Sequence, residues 1–134
     1  MIVFKPINDH FGHAVGDEVL RIVSDRLRAA LRNCEFVGRY GGDEFMLILE
    51  HSESSNLDIV AQRLLGAVGE PISTSKGLVQ VGASIGFALF TRDGEDIDAL
   101  KQAADAAMYE AKRARTGWCV YRPDLKITPL PNGG

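Results

Sequence analysis

The sequence of 134 residues lacks the features that mark several large classes of protein. Its 15 Lys and Arg do not outnumber its 18 Asp and Glu, so it has no basic excess with which to attract nucleic acid. No apolar run has the length of a membrane span or the pattern of a signal peptide. We therefore expect no nucleic-acid partner and no direct membrane contact in this segment. The expected location is the cytoplasm, and membrane tethering of a longer parent protein stays open.

Cysteine is also scarce, since Cys34 and Cys119 are the only two and lie far apart. Neither has a second metal-ligating residue at a usual spacing, which excludes a cysteine-based metal site and a disulfide-rich scaffold. Isolated cysteines are typical of proteins kept reduced in the cytosol. The remaining composition, 46% apolar and 25% charged, is that of a globular protein, and the length favours one domain with its own core.

The spacing of apolar residues alternates between helical and strand-like along the chain. Stretches that repeat every three or four residues predict helices, and shorter apolar runs bounded by glycine, proline or polar residues predict strands. The predicted helices are 15–31, 56–68 and 100–111, and the predicted strand regions are 1–4, 35–50 (a hairpin), 72–90 and 118–121. This alternation indicates an α+β fold, an α/β sandwich in which helices pack on a sheet.

Two local patterns allow finer predictions. Pro6 near the start and Gly12 at the end of 5–12 favour a short helix, because proline is tolerated in a first turn and glycine favours a helix stop. The continuous apolar run Phe45–Leu49 predicts a strand that is buried on both faces.

The tip of the predicted hairpin carries Gly41-Gly42-Asp43-Glu44. Glycines without side chains let a phosphate approach the backbone closely. Two adjacent carboxylates supply the hard oxygen ligands that hold Mg²⁺ beside phosphates, and metal-assisted displacement at phosphorus needs this combination. The alternative is an ordinary acidic turn, since glycine and aspartate are common in turns for conformational reasons.

A second polar cluster follows the first apolar run and contains Lys5, Asn8 and Asp17. An aspartate can accept hydrogen bonds from the N1–H and N2–H₂ groups of guanine, and an amide can both donate and accept. Taken singly, however, Asn8 and Asp17 are also common helix caps, and Lys5 could be a solvated lysine.

Several separated motifs occur in one order along residues 4–121. They are Phe4-Lys-x-Ile-Asn-Asp, Gly12-His13, Gly16-Asp17, Arg39-Tyr40-Gly41-Gly42-Asp43-Glu44-Phe45, Ala83–Ala88 and Ala107–Lys112. In this order they resemble the GGDEF domain of the diguanylate cyclase family. The resemblance implies a central, mostly antiparallel sheet flanked by helices, as in nucleotidyl cyclases. It also implies condensation of two GTP into cyclic di-GMP and pyrophosphate, by a homodimer that uses Mg²⁺ or Mn²⁺.

The resemblance also assigns roles to individual residues. Asn8 and Asp17 match the guanine-contacting residues, and the two glycines match the loop that accommodates the α-phosphate. Asp43 matches the essential acid, which is a metal ligand and helps to activate the 3′-hydroxyl, and Glu44 matches the adjacent acid and a second metal contact. Lysines near the terminal phosphates are matched by Lys5 and Lys112.

Three departures from the family pattern accompany this match. A metal-binding Asp of the family would precede residue 1, so residues 1–122 are expected to be a GGDEF-like domain without its N-terminal helix and most of its first strand. Residues 123–134 are expected to be a linker or tail. The inhibitory product site would comprise Arg32 and Glu35, with Glu35 in place of the family's Asp. Thr116 stands where the family has a phosphate-contacting Arg, and Arg115 is the candidate substitute.

The sequence is therefore compatible with three functions. The first is a diguanylate cyclase, although this fragment alone could lack activity. The second is a regulatory module that binds GTP or cyclic di-GMP without turnover, for example beside a phosphodiesterase domain. The third is a dimerisation scaffold, against which the acidic pair at the hairpin tip argues.

Overall fold

The three long predicted helices and the predicted strand regions are present in the computed structural model. It describes residues 2–7, 13–30, 34–40, 44–49 and 57–125. In chain order the elements are β1 (Ile2–Ile7), α1 (His13–Ala30), β2 (Cys34–Tyr40), β3 (Glu44–Leu49), α2 (Leu57–Gly69), β4 (Ile72–Thr74), β5 (Gly77–Val79), β6 (Gly82–Phe87), α3 (Ile97–Ala114) and β7 (Trp118–Val120).

Five of these strands form one sheet in the order β2-β3-β1-β6-β7. All neighbours pair antiparallel except β6 and β7, which are joined through α3 and run parallel. The strands β4 and β5 form a separate two-stranded hairpin. The predicted α+β fold with a mostly antiparallel central sheet is therefore confirmed.

Helices cover the sheet on both faces, and successive residues of β1 show this. Ile2 enters the main core cluster, which includes the buried aliphatic residues of α1 and α2. Its neighbour Val3 enters a second cluster with residues of α3. Because adjacent side chains of a strand point to opposite faces, α1 and α2 lie on one face and α3 on the other.

The short helix predicted for 5–12 is wrong where the structure describes it, because β1 continues as a strand to Ile7. Pairing with β6 extends from Ile2 to Ile7, whereas pairing with β3 covers only Ile2–Phe4. At Pro6, the described strands pair with β1 on one side only, the side of β6. A strand position that is paired on one side tolerates the missing N–H of proline. Residues 8–12 lie outside the described part of the chain.

The prediction that β3 is buried on both faces is correct for only one face. Phe45 and Leu47 are fully buried, but Met46 and Ile48 are only half-buried. The helix on their side of the sheet, α3, packs mainly on β6, β7 and β1. A continuous apolar run does not report which strands a helix covers, so the pattern overestimated the burial.

The helix α3 has both ends fixed by local hydrogen bonds. At its start the carboxylate of Asp96 accepts a bond from the Ala99 N–H at 2.8 Å, so the helix begins three residues before the predicted Leu100. At its end Arg115 adopts a left-handed conformation with φ 57°, and the Thr116 N–H donates to the Ala111 carbonyl at 3.1 Å. These caps place the last turn of α3 directly before β7.

Candidate functional site

One end of the sheet gathers the polar motifs, beginning with the last residues of β1 and the first residue of β3. Phe4 of β1 lies opposite Phe45 of β3 in an antiparallel pair. The next residue along β1 is Lys5, and the preceding residue of β3 is Glu44, so both lie at this end. Tyr40, the last residue of β2, pairs with Glu44, so β2 finishes at this same end of the sheet.

The C-terminal end of α3 lies at this end of the sheet as well. Ile7, the last residue of β1, lies opposite Gly82, the first residue of β6. The strand β7 runs parallel to β6, and the Gly117 carbonyl just before it accepts a bond from the Ile85 N–H at 2.9 Å. The C-terminal turn of α3, with Lys112 and Arg115, therefore lies at the end where β6 starts and β1 finishes.

The helix α1 follows β1 after a short connection, so its first turns start from this end of the sheet too. Asp17 is exposed there. Five predicted site residues thus belong to elements that meet at one sheet end, namely Lys5, Asp17, Glu44, Lys112 and Arg115. Of the other predicted residues, Glu35 lies in β2, and Asn8, Arg32, Gly41, Gly42 and Asp43 lie outside the described residues.

Glu44, like Asp105, is a buried acidic residue, and it is only 8% exposed. It begins β3 opposite Tyr40 of β2. Charge this well shielded from water is stable only beside cations or hydrogen-bond donors. Its carboxylate, next in sequence to Asp43, offers the hard oxygen donors that Mg²⁺ and Mn²⁺ bind, so the chemistry of these donors fits such an ion. Within the part of the chain that the structure describes, no three His, Cys, Asp or Glu gather into a metal cluster.

The last turns of α3 carry three cations with different surroundings. Arg113 is paired with Glu110, whose pKa is lowered mainly by its hydrogen bond to that guanidinium. Lys112 and Arg115 are exposed, and neither has an ion-pair partner among the described residues. These two cations can therefore bind an anion such as a phosphate without breaking an ion pair to another described residue.

The predicted product site is only partly described. Glu35 lies in β2 at an irregularity of the β2–β3 pairing, because Cys34 pairs with Leu49 while Phe36 pairs with Ile48. An extra residue in one strand is a β-bulge, which re-aims nearby side chains.

Two polar contacts near α1 escape prediction from the sequence. The carboxylate of Glu18, next to Asp17, accepts bonds from the N–H and hydroxyl of Ser75 at 3.2 and 2.8 Å. Arg26 donates to the carbonyls of Glu70 and Pro71 at 2.6 and 2.8 Å. Their partners lie more than forty residues away, and no spacing rule links residues so distant in sequence.

Comparison with known proteins identifies the family. The family model described as "Diguanylate cyclase, GGDEF domain" matches residues 1–117. The chain belongs to the GGDEF family of diguanylate cyclase domains. It is also 39% identical over 123 residues to a Pseudomonas aeruginosa protein named bifunctional diguanylate cyclase/cyclic di-GMP phosphodiesterase MucR. The match covers 91% of this chain but 18% of MucR, so the chain spans less than a fifth of that relative.

Solved GGDEF domains have the same fold. The GGDEF domain of TpbB (also named YfiN) from Pseudomonas aeruginosa matches with a TM-score of 0.82 and 32% identity, over 92% of this chain and 81% of that one. The GGDEF domain of DgcB from Caulobacter crescentus, solved in complex with c-di-GMP, matches with a TM-score of 0.73 and 28% identity, over 90% of this chain and 74% of that one. The GGDEF domain of this chain therefore has the family fold as well as the family motifs. In the residues described, no helix combines the length and apolar character needed to cross a membrane.

Proposed function

We propose that this GGDEF domain condenses two GTP molecules into cyclic di-GMP and pyrophosphate, as a homodimer in the cytoplasm. The observation that carries the proposal is the meeting of β1, β3, α1 and α3 at one end of the sheet. This meeting brings the buried carboxylate of Glu44, the exposed cations Lys112 and Arg115, and the exposed Asp17 into one region. A nucleoside triphosphate has the complementary parts, namely a base with N–H donors and a chain of phosphates.

The base end of GTP is assigned to Asn8 and Asp17. The exposed carboxylate of Asp17 can accept bonds from the N1–H and N2–H₂ groups of guanine. An adenine base presents no N–H donor at the equivalent ring nitrogen. The carboxylate therefore favours guanine over adenine, because guanine offers it two adjacent donors and adenine has no N–H at the equivalent ring nitrogen.

The phosphate end is assigned to the hairpin tip and the cations. Gly41 and Gly42, which have no side chains, are assigned to the α-phosphate, and Lys5, Lys112 and Arg115 are assigned to the terminal phosphates. Asp43 and Glu44 would hold Mg²⁺ or Mn²⁺, which when bound neutralises charge on the phosphates and the leaving pyrophosphate.

The reaction itself needs two copies of the domain, because each holds one GTP. The 3′-hydroxyl oxygen of one nucleotide attacks the α-phosphorus of the other, and the bond from that phosphorus to the pyrophosphate oxygen breaks. Asp43, next in sequence to Glu44, is the proposed acceptor of the hydroxyl proton. The contribution of the remaining residues is orientation, since holding two reactants in line removes most of the entropic barrier.

The test is product formation from GTP, followed by chromatography and mass spectrometry. The 134-residue chain and a version that includes any residues encoded before Met1 are each incubated with GTP and Mg²⁺. We expect cyclic di-GMP from the extended version and its loss in Asp43→Asn. Asp58→Asn is the matched control, because Asp58 is an exposed acid in the first turn of α2. Absence of product from the extended version would overturn the proposal.

A second candidate is a module that binds GTP or cyclic di-GMP without turnover. It is favoured by a relative that is named only as a cyclic di-GMP phosphodiesterase, NbdA of Pseudomonas aeruginosa, which is 38% identical over 109 residues. In either role, Arg32 and Glu35 are the proposed site for the product. Calorimetry with GTP and with cyclic di-GMP separates the two candidates, because GTP binding without product in the extended version favours the second.

A further inference from the structure

The segment from α2 to the β4–β5 hairpin is tied to α1 at two points. Near its start, the Arg26 guanidinium donates to the carbonyls of Glu70 and Pro71. At its far end, the Glu18 carboxylate accepts two hydrogen bonds from Ser75. The segment therefore runs along α1 in the opposite direction, from the level of Arg26 to the level of Glu18.

The lengths of the two paths agree. The eight residues from Glu18 to Arg26 span about 12 Å along a helix. The extended stretch from Pro71 to Ser75 spans about 13 Å. Since the two lengths match, the hydrogen bonds at Arg26 and at Glu18 can form together without bending either element. The segment from Pro71 to Ser75 therefore holds α1 at both levels. A further bond, from the Gln80 side chain to the Gly69 carbonyl at 2.9 Å, joins the residue after β5 to the end of α2.

We infer that Glu18, held by Ser75, is a positioning residue that sets the placement of Asp17 for guanine recognition. This inference rests on the proposed function, in which Asp17 accepts hydrogen bonds from the base. Glu18 and Asp17 are consecutive residues of one helix, so their backbones move as one body. Arg26 alone fixes only the later turns of α1, whereas the Ser75 contact fixes the turn that carries Asp17.

The chemistry of the contact suits this role. A carboxylate that accepts an N–H and an O–H from one residue is held in orientation as well as in distance. Base recognition depends on orientation, because a displacement of about 1 Å weakens both bonds of a paired acceptor together. Loss of the contact is therefore expected to reduce selectivity for guanine more than it reduces nucleotide binding in general.

The experiment compares binding of GTP and inosine triphosphate, with Mg²⁺, to the extended protein and its variants by calorimetry. The inosine base retains N1–H but lacks the N2 amino group, so the ratio of the two affinities reports on Asp17. We expect Ser75→Ala and Glu18→Gln to lower GTP affinity about three- to tenfold and to lower the GTP preference about threefold. Ser75→Thr, which keeps the hydroxyl, is expected to restore both.

The matched control is Ser73→Ala, which removes a hydroxyl from an exposed side chain two residues earlier in β4 and is expected to change neither affinity. The double variant Glu18→Gln/Ser75→Ala is expected to be no weaker than the stronger single variant, since both remove one contact. All variants are measured well below their unfolding midpoints.

Three other results would overturn the positioning role of Glu18. Unchanged GTP preference in Glu18→Gln, with GTP binding retained, overturns the positioning role and leaves the proposed function in place. Equal losses for GTP and inosine triphosphate show a merely structural contact and also overturn it. If the unaltered extended protein binds neither nucleotide, the proposed function fails together with the inference.

Discussion

The two faces of the sheet are packed in different ways. The face under α1 and α2 is filled by large aliphatic and aromatic side chains, including Leu27, Leu64 and Phe45, which are fully buried. The face under α3 is filled by small residues, since the buried positions of that helix are mostly alanines. There the helix backbone comes so close that a Cβ on Gly86 would lie 2.0 Å from the Ala104 carbonyl oxygen.

This difference separates two ways of stabilising one sheet. On the α1/α2 face, stability depends on the volume of side chains, so removing atoms leaves cavities. On the α3 face, stability depends on close approach of two backbones, so adding atoms creates clashes that only a shift of the helix can relieve. The α3 face also holds the free thiol of Cys119, and burial raises its pKa.

The largest effect is expected for Gly86→Ala, which tests whether the α3 face tolerates one added methyl group. The new Cβ would meet the Ala104 oxygen and, at 2.4 Å, the Met108 nitrogen, and both are backbone atoms. We expect the free energy of unfolding to fall by at least about 4 kcal/mol, measured by chemical denaturation. Gly82→Ala in the same strand is the control, because a Cβ there has no atom within 4 Å. A small change in Gly86→Ala would refute the close-approach account.

A loss of about 3 kcal/mol is expected for Leu64→Ala, which tests the opposite face. Leu64 is fully buried in α2, so its truncation removes apolar contacts and leaves a cavity. The control Ile59→Ala removes a similar volume from the same helix at a position that is 49% exposed, and should cost far less. Equal losses in the two variants, measured by the same denaturation series, would contradict a volume-dependent core on this face.

A smaller effect is expected for Asp96→Ala, which removes the cap of α3 without touching its packed face. The Ala99 N–H then loses its acceptor, at an expected cost of about 1 kcal/mol. Asp96→Asn keeps a side-chain oxygen and should retain most of the stability, as thermal unfolding can show. A loss comparable to that of Gly86→Ala would mean that the start of α3, more than its contact with β6, determines the stability of this face.

The smallest effect, of opposite sign, is expected for Gly66→Ala in α2. A Cβ at Gly66 meets no atom within 4 Å, and alanine is favoured over glycine in a helix by about 0.5–1 kcal/mol. The same substitution is therefore expected to stabilise the protein at Gly66 and to destabilise it at Gly86. If chemical denaturation shows that Gly66→Ala also lowers the free energy of unfolding, the surroundings of Gly66 do not have room for a methyl group.

Much of the fold was predictable, because it depends on local patterns. The alanine and leucine spacing of α3 and the glycine break between β2 and β3 predict these elements directly. The position of β1 at the middle of the sheet was not predictable from pattern, since strand order is decided by contacts between residues distant in sequence. The segment 5–7 was mistaken for a helix because pairing with β6 outweighs the local preferences of Lys5 and Pro6.

The candidate site was predictable where function requires particular residue types in a short motif. Asp17, Glu44 and Lys112 were identified in this way, and their shared end of the sheet follows from the strand order. Their roles as ligands of nucleotide and metal stay predictions. Glu18 and Ser75 were not predictable, because each is an ordinary surface residue until the fold brings the two together.

The position of β1 has a consequence for synthesis of the protein. This strand is made before both of its neighbours in the sheet, and Ile2 pairs with Phe87, which the ribosome adds roughly eighty residues later. At elongation rates of about 5–20 residues per second, β1 waits several seconds for that partner. During this time its apolar residues and open hydrogen-bonding edges are available to other nascent chains. Among the described strands, the central strand of the finished sheet is thus the one that waits longest after its synthesis for its last partner.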